Sequence, residues 1–200
     1  ISRSIKADSG YKNEILFGLD LDKTKSMHIN RGLHIRGNNI MLSILTPENA
    51  VDALNYYVKN QVYLSEFEPE REKSFYTLEV QKRNLIESYN FGIFKNKRFI
   101  GKIQISNIII GVLKSAFIGY SIDEDEQGKG YMKEALKLVL DYAFDELELH
   151  RVEASTLVDN IKSQRVLKSC GFKELGLNKK YLFVNGKWKD HITFYKINSV

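Results

Sequence analysis

The stretch from Ala116 to Val158 constrains the fold more than any other part of this chain. A short apolar strand, Ala116 to Ile122, runs into the acidic turn Asp123-Glu124-Asp125-Glu126. Gln127-Gly128-Lys129-Gly130 then opens a helix over 130–147, with Ala135, Leu136, Leu138, Val139, Tyr142, Ala143 and Leu147 recurring at helical spacing. A second strand follows at Arg151 to Val158. A β-α-β unit of this length joins two parallel neighbours by a right-handed crossover. The same order, strand then glycine loop then helix start, lets a backbone bind phosphate. Glycines permit close approach, and the first helical turn offers free N–H groups at the positive end of its dipole.

The flanking sequence is of a different kind. His34 to Leu45 reads as one strand, and Thr46-Pro47 starts a helix, with threonine as N-cap and proline in the first turn. A second helix is expected over 74–88. Phe91 to Lys95, Arg98 to Ile110 and Ser115 to Ile122 form an antiparallel meander around an Asn96-Lys97 turn. After the β-α-β unit, 161–169 is a short helix ended by Gly171. Phe172 to Val184 and Lys187 to Ile197 close as a hairpin on Asn185-Gly186. The expected fold is therefore α/β of the mixed α+β kind: one mostly antiparallel sheet of about seven strands with helices on both faces.

At 200 residues and 43% hydrophobic, the chain has the size of one ordinary domain. Residues 1–30 lack sustained periodicity and are set apart as an extension, native or appended, from a domain over 31–200. No apolar run is long enough to span a membrane, and the lone Cys170 excludes an internal disulfide and suits a reducing cytoplasm. The net charge of +5 lies within the ordinary spread of soluble enzymes, and no basic run is dense enough for a nucleic-acid site. His34, His150 and His191 lack metal-ligand spacing, so no metal is expected.

Three owners of the glycine loop can be compared. A Walker loop needs Gly-x-x-x-x-Gly-Lys-Ser/Thr, which Gly128-Lys129-Gly130-Tyr131 does not supply. A dinucleotide loop needs a third glycine where Lys133 stands, and repeated parallel units where this chain has a hairpin. Gln127-Gly128-Lys129-Gly130-Tyr131-Met132 resembles the Gln/Arg-x-x-Gly-x-Gly/Ala coenzyme A signature of the GCN5-related N-acetyltransferases, the GNAT superfamily, with Met132 in place of the last small residue. Asn160 to Phe172 resembles that family's Asn-x-x-Ser-x-x-x-Leu-x-x-x-Gly-Phe segment. Leu64-Ser65-Glu66-Phe67-Glu68-Pro69 and Asn185 to His191 resemble segments of the RimJ/RimL branch, which acetylates α-amino groups of ribosomal proteins.

The resemblance implies the GNAT acyl-CoA N-acyltransferase fold with acetyl-CoA as donor. It places the coenzyme A pyrophosphate on the loop N–H groups of Gln127, Gly128, Lys129, Gly130, Tyr131 and Met132. It places the pantetheine arm between the parallel strands, against the main chain of Tyr120 and Ile122, with Asn160 and Ser163 beside it. A strand N–H near Ser121 or Ile122 is then a candidate oxyanion donor. The family's tyrosine acid falls at Leu167, which leaves Ser163, Cys170, water or direct departure of the thiolate. Glu66 and Glu124 are the candidate bases.

The expected reaction is direct attack of a neutral amine. About a tenth or more of an α-amine of pKa about 7.7–8.0 is neutral near pH 7, against well under a thousandth of a lysine amine near 10.4, so a modest base suffices. The expected acceptor is a protein N-terminus, ribosomal in type. A small amine such as a polyamine is the second reading, with Glu66, Glu68, Glu70 and Glu72 as its acidic cluster. A non-catalytic acyl-CoA sensor is the third. The oligomeric state is expected to be monomer or homodimer.

Overall fold

A computed structural model describes residues 32–86 and 89–199, and the segment 1–30 lies outside the described residues. Eight strands form one sheet in the order β1-β2-β3-β4-β5-β6-β8-β7. They are β1 His34–Arg36, β2 Met41–Ile44, β3 Tyr89–Lys95, β4 Arg98–Ile109, β5 Ser115–Ile122, β6 Arg151–Leu157, β7 Lys173–Val184 and β8 Lys187–Ile197. Only β5 and β6 pair in parallel, as the β-α-β reading requires. Every other pair is antiparallel.

The count is eight because the expected single strand over 34–45 folds as a hairpin. Gly37 N donates to Ile40 O at 2.9 Å, and the turn is held from outside: Asn39 donates its backbone N and its Nδ2 to Glu134, each at 2.9 Å. Across the turn Ile35 pairs with Leu42, whereas an unbroken strand would set Ile35 and Ile40, five positions apart, on opposite faces.

Five α-helices cover the two faces: α1 Ala50–Lys59, α2 Gln61–Ser65, α3 Leu78–Asn84, α4 Tyr131–Asp141 and α5 Ile161–Ser169. The main core lies beneath α4, where Leu136 and Val139 meet Leu42, Phe91, Ile103 and Val152, all fully enclosed. Leu167, Cys170 and Phe172 at the end of α5 join the same core. On the other face Ala50 and Ala53 of α1 pack with Leu45 and Leu85.

Two helix boundaries differ from expectation. The helix expected over 74–88 is a short 3-10 turn, Lys73–Tyr76, followed by α3. Thr77 between them is extended, and its hydroxyl accepts from Val80 N, so an N-cap restarts the helix there. The helix expected over 130–147 keeps α geometry to Asp141 and then widens, with Leu147 N bonding Tyr142 O.

Candidate active site

The site is built where β5 leaves β6. These strands pair at Ser115↔Arg151, Ala116↔Val152 and Phe117↔Glu153, and then separate. Their outer edges stay paired: β4 follows β5 to Ile122, and β8 follows β6 to Leu157. The result is a fork whose inner edges present unpaired backbone N–H and C=O groups from two otherwise regular strands. Such groups call for a partner. An extended chain with amide groups of its own fits between them as an added strand does.

The glycine loop stands at the mouth of the fork. Gly128 (φ +72°) and Gly130 (φ +83°) both adopt the left-handed conformation, and a Cβ at either would project into open space. Gly130 is the N-cap of α4 and brings no side chain to cap it. The first helix bond from this end is Glu134 N to Gly130 O, so the N–H groups of Tyr131, Met132 and Lys133 have no intrahelical acceptor. This is an open concavity lined by main-chain donors at a positive helix end, which fits a pyrophosphate. Met132 does not obstruct it, because its side chain is buried in the core.

Charges hold the loop from below. Asp123 is buried at the end of β5, where both of its oxygens accept from Lys59 Nζ of α1 at 2.8 Å and Oδ1 also accepts from Asp125 N at 3.1 Å. Glu124 N donates to the buried Asn60 Oδ1 at 3.0 Å. Glu126, also buried, accepts from Lys129 Nζ at 2.9 Å, pairs with Arg98, and has Lys95 Nζ at 3.7 Å. The charge of Lys129 is thus committed to the loop's own frame. Tyr131 is occupied too, with Lys95 Nζ 4.7 Å from its ring centroid. Gln127 reaches across the mouth: its Oε1 accepts from Lys162 Nζ of α5 at 3.1 Å.

The hydrogen bond from Lys129, then the charges of Lys95 and Arg98, hold the Glu126 carboxyl below the usual range. A depressed folded value adds stability above the unfolded pKa of about 4.3, and that stability is lost as pH falls through the folded value. Thermal melts taken from about pH 6 down to about pH 3 are expected to fall more steeply for the native chain than for Glu126→Gln. Parallel curves would remove the loop's carboxylate from the acid transition.

The candidate side chains fall into two groups on opposite faces of β5. Tyr120 faces α5, and its Oη lies 2.9 Å from Ser163 Oγ and 3.2 Å from Ser163 O. Burial pushes the Tyr120 hydroxyl well above its usual pKa, only partly offset by the Ser163 bond. Asn160 caps α5, with Oδ1 accepting from Ser163 N at 3.1 Å, which leaves its amide N–H groups without a partner among the described residues. Leu167 is buried in the core, and Cys170 is a buried thiol whose pKa burial raises. Cys170 Sγ bonds Lys133 O at 3.6 Å, so it is part of the core.

Glu66 and Glu124 are exposed and come from separate segments, yet both act electrostatically on Tyr63. Burial first, then Glu124, Glu66 and Glu68, push the Tyr63 hydroxyl above its usual pKa. Of the four glutamates read as an acidic cluster for a polyamine, Glu66 and Glu68 both act on Tyr63. Glu68 is paired with Arg71 at 2.5 Å, Glu72 accepts from Ser74, and Glu66 and Glu70 point to solvent.

Two features have no counterpart in the sequence reading. One is the Tyr120–Ser163 bridge across the fork. The other is a cavity of about 500 Å³ on the α1/α3 face, floored by Lys102 and Gln104 of β4 and walled by Tyr57, Arg71 and Phe75. The period-2 pattern of Ile118, Tyr120 and Ile122 did signal that the Tyr120 side chain faces the helices below. Nothing local signalled the cavity, whose walls come from segments 45–104. Among the described residues no group of histidine, cysteine or carboxylate side chains could hold a metal, and no helix is long and apolar enough to cross a membrane.

This architecture has known counterparts. Residues 40–173 match the model of the acetyltransferase (GNAT) domain. The chain is 38% identical over 168 residues to the "Probable N-acetyltransferase YjcK" of Bacillus subtilis (strain 168), covering 78% of this chain and 93% of that protein. The structure of ribosomal-protein-S5-alanine acetyltransferase from Vibrio fischeri superposes with a TM-score of 0.80 at 32% identity, over 84% of this chain and 97% of that one. Mycobacterium smegmatis RimJ, solved in complex with CoA-disulfide, superposes with a TM-score of 0.72 at 29% identity, over 79% and 81%. The chain belongs to the GNAT family of acetyltransferases. It is an N-acetyltransferase whose donor is acetyl-CoA.

Proposed function

We propose that the acceptor is the N-terminal α-amine of a protein. The observation that carries this reading is the cavity over β4, which has no aspartate or glutamate in its lining. A polyamine carries several positive charges and calls for carboxylates there, whereas a peptide end brings one amine of low pKa. Similarity to the S5-alanine acetyltransferase of Vibrio fischeri supports the same acceptor class.

The residues take the following roles in this reading. Main-chain N–H groups from Gln127 to Met132 hold the pyrophosphate, with Gly128 and Gly130 giving the approach and Lys129 bracing the loop through Glu126. The inner edge of β5 at Tyr120 and Ile122 and the free amide of Asn160 hold the pantetheine arm. Bound acetyl-CoA supplies the activated acetyl group. A strand N–H near Ser121 or Ile122 faces its carbonyl oxygen. Glu66 and Glu124 take the amine proton through water, which suffices for an α-amine already neutral in about a tenth or more of its copies near pH 7. The Tyr120 hydroxyl, kept protonated by burial and bonded to Ser163, donates a hydrogen bond to the sulfur as the thiolate departs, and the thiolate takes its proton from water.

The test is release of free coenzyme A thiol with acetyl-CoA and a panel of acceptors. Peptides with a free alanine or serine N-terminus are expected to be consumed, and the same peptides blocked at the N-terminus but carrying a lysine are not. Turnover confined to spermidine or an aminoglycoside would overturn the acceptor assignment.

A further inference from the structure

The cavity on the α1/α3 face is cationic as well as free of carboxylates. Arg71, Arg83 and Lys102 line it, together with side-chain amides. Lys102 matters most, because it rises half-buried from the floor of the sheet and no carboxylate pairs with it among the described residues. Its ammonium stands beside the Tyr57 ring, 5.3 Å from Nζ to centroid. A half-buried ammonium without a counter-ion is an unfavourable arrangement that an incoming anion relieves.

Arg71 is built in more firmly. Its guanidinium lies 4.1 Å from the Phe75 ring centroid and 5.3 Å from that of Tyr57, and Glu68 outside the lining takes one edge. A guanidinium has five N–H donors, so one carboxylate oxygen leaves most of them available. Arg83 stands exposed at the rim.

The position of Lys102 relates the cavity to the reaction. Lys102 and Ser121 are direct cross-strand partners between β4 and β5. Directly opposed residues have Cβ atoms about 5 Å apart, so the cation sits one strand away from the segment assigned to the acetyl carbonyl. On the reading that the acceptor is a peptide end, an amine at β5 puts the next residue or two of that peptide over Lys102 and Arg71.

We infer that this cavity selects acceptors that carry a carboxylate within one or two residues of the reactive amine: protein N-termini with aspartate or glutamate at the second or third position. The carboxylate pairs with Lys102 and the free edge of Arg71. Basic second residues are repelled. Attraction of this kind is screened by salt, so the preference shrinks as ionic strength rises.

The experiment compares otherwise identical peptides with glutamate, glutamine or lysine at position two, alongside free glutamate and spermidine. Both kcat/KM and equilibrium titration onto the coenzyme A complex are read, so that binding reports even where turnover is slow. The glutamate peptide is expected to exceed the glutamine peptide by about tenfold, the scale of one charge-assisted bond in a half-buried site. Lys102→Met removes most of that ratio and Lys102→Arg restores it, with coenzyme A affinity measured in each variant to show an intact fold. Peptides consumed regardless of charge, or a ratio unmoved by Lys102→Met, would overturn the inference and leave the N-terminal acceptor standing. Free glutamate consumed while every peptide is refused would uphold the cavity and overturn the protein acceptor. A preference for spermidine defeats both.

Discussion

Gly130→Pro is expected to weaken coenzyme A binding by at least about 100-fold, the loss of two charge-assisted main-chain bonds. Gly130 sits at φ +83°, and proline is fixed near −65°, so the backbone must leave its present path just where α4 begins. The change removes one donor outright and turns its neighbours away from the concavity. The helix itself starts at Tyr131, and its buried face, Met132, Ala135, Leu136 and Val139, is untouched. Calorimetric titration with coenzyme A reads the loss, and circular dichroism checks that the fold persists. Gly130→Ala gives an intermediate point, because a left-handed alanine costs about 1–2 kcal/mol without removing the N–H. Undiminished affinity in a folded Gly130→Pro protein would remove the loop from the donor site.

The loop's conformation was legible because its determinants are local: two glycines, a strand before them and a helix after. The parallel pair was legible for the same reason, since the length of the β-α-β unit leaves few ways to connect it. The hairpin within 34–45 was not. Its turn is fixed by Glu134, about a hundred residues away in sequence, and local patterning does not carry that contact. Thr77 shows the limit at closer range. A threonine inside an apolar helical pattern reads as a tolerated residue, and only the extended backbone before it reveals an N-cap. Within the site, Gln127, Gly128, Gly130 and Asn160 could be singled out one by one. The partnership of Tyr120 with Ser163 and the cation pocket could not, because each joins segments that only the packed sheet brings together.

That partnership carries the second large effect. Tyr120→Phe is expected to lower kcat by about 100-fold, the scale of one hydrogen bond to charge that develops in the transition state, with coenzyme A affinity held within a fewfold. The ring stays and continues to pack, so only the hydroxyl is lost. Ser163→Ala keeps the Tyr120 hydroxyl but removes its nearest partner, at 2.9 Å, and a smaller fall of about tenfold is expected because the serine carbonyl still orients it. Since burial raises the Tyr120 pKa far above the assay range, the phenol stays protonated throughout it, and the native pH–rate profile owes no alkaline decline to this group. A leaving thiolate is the species that this O–H donor steadies. Slow thioester donors with a poorer leaving group should therefore suffer more from Tyr120→Phe than activated thiophenyl donors, which depart without help. Equal losses across both donors would make the bridge a brace between β5 and α5 with no part in the departure of the thiolate.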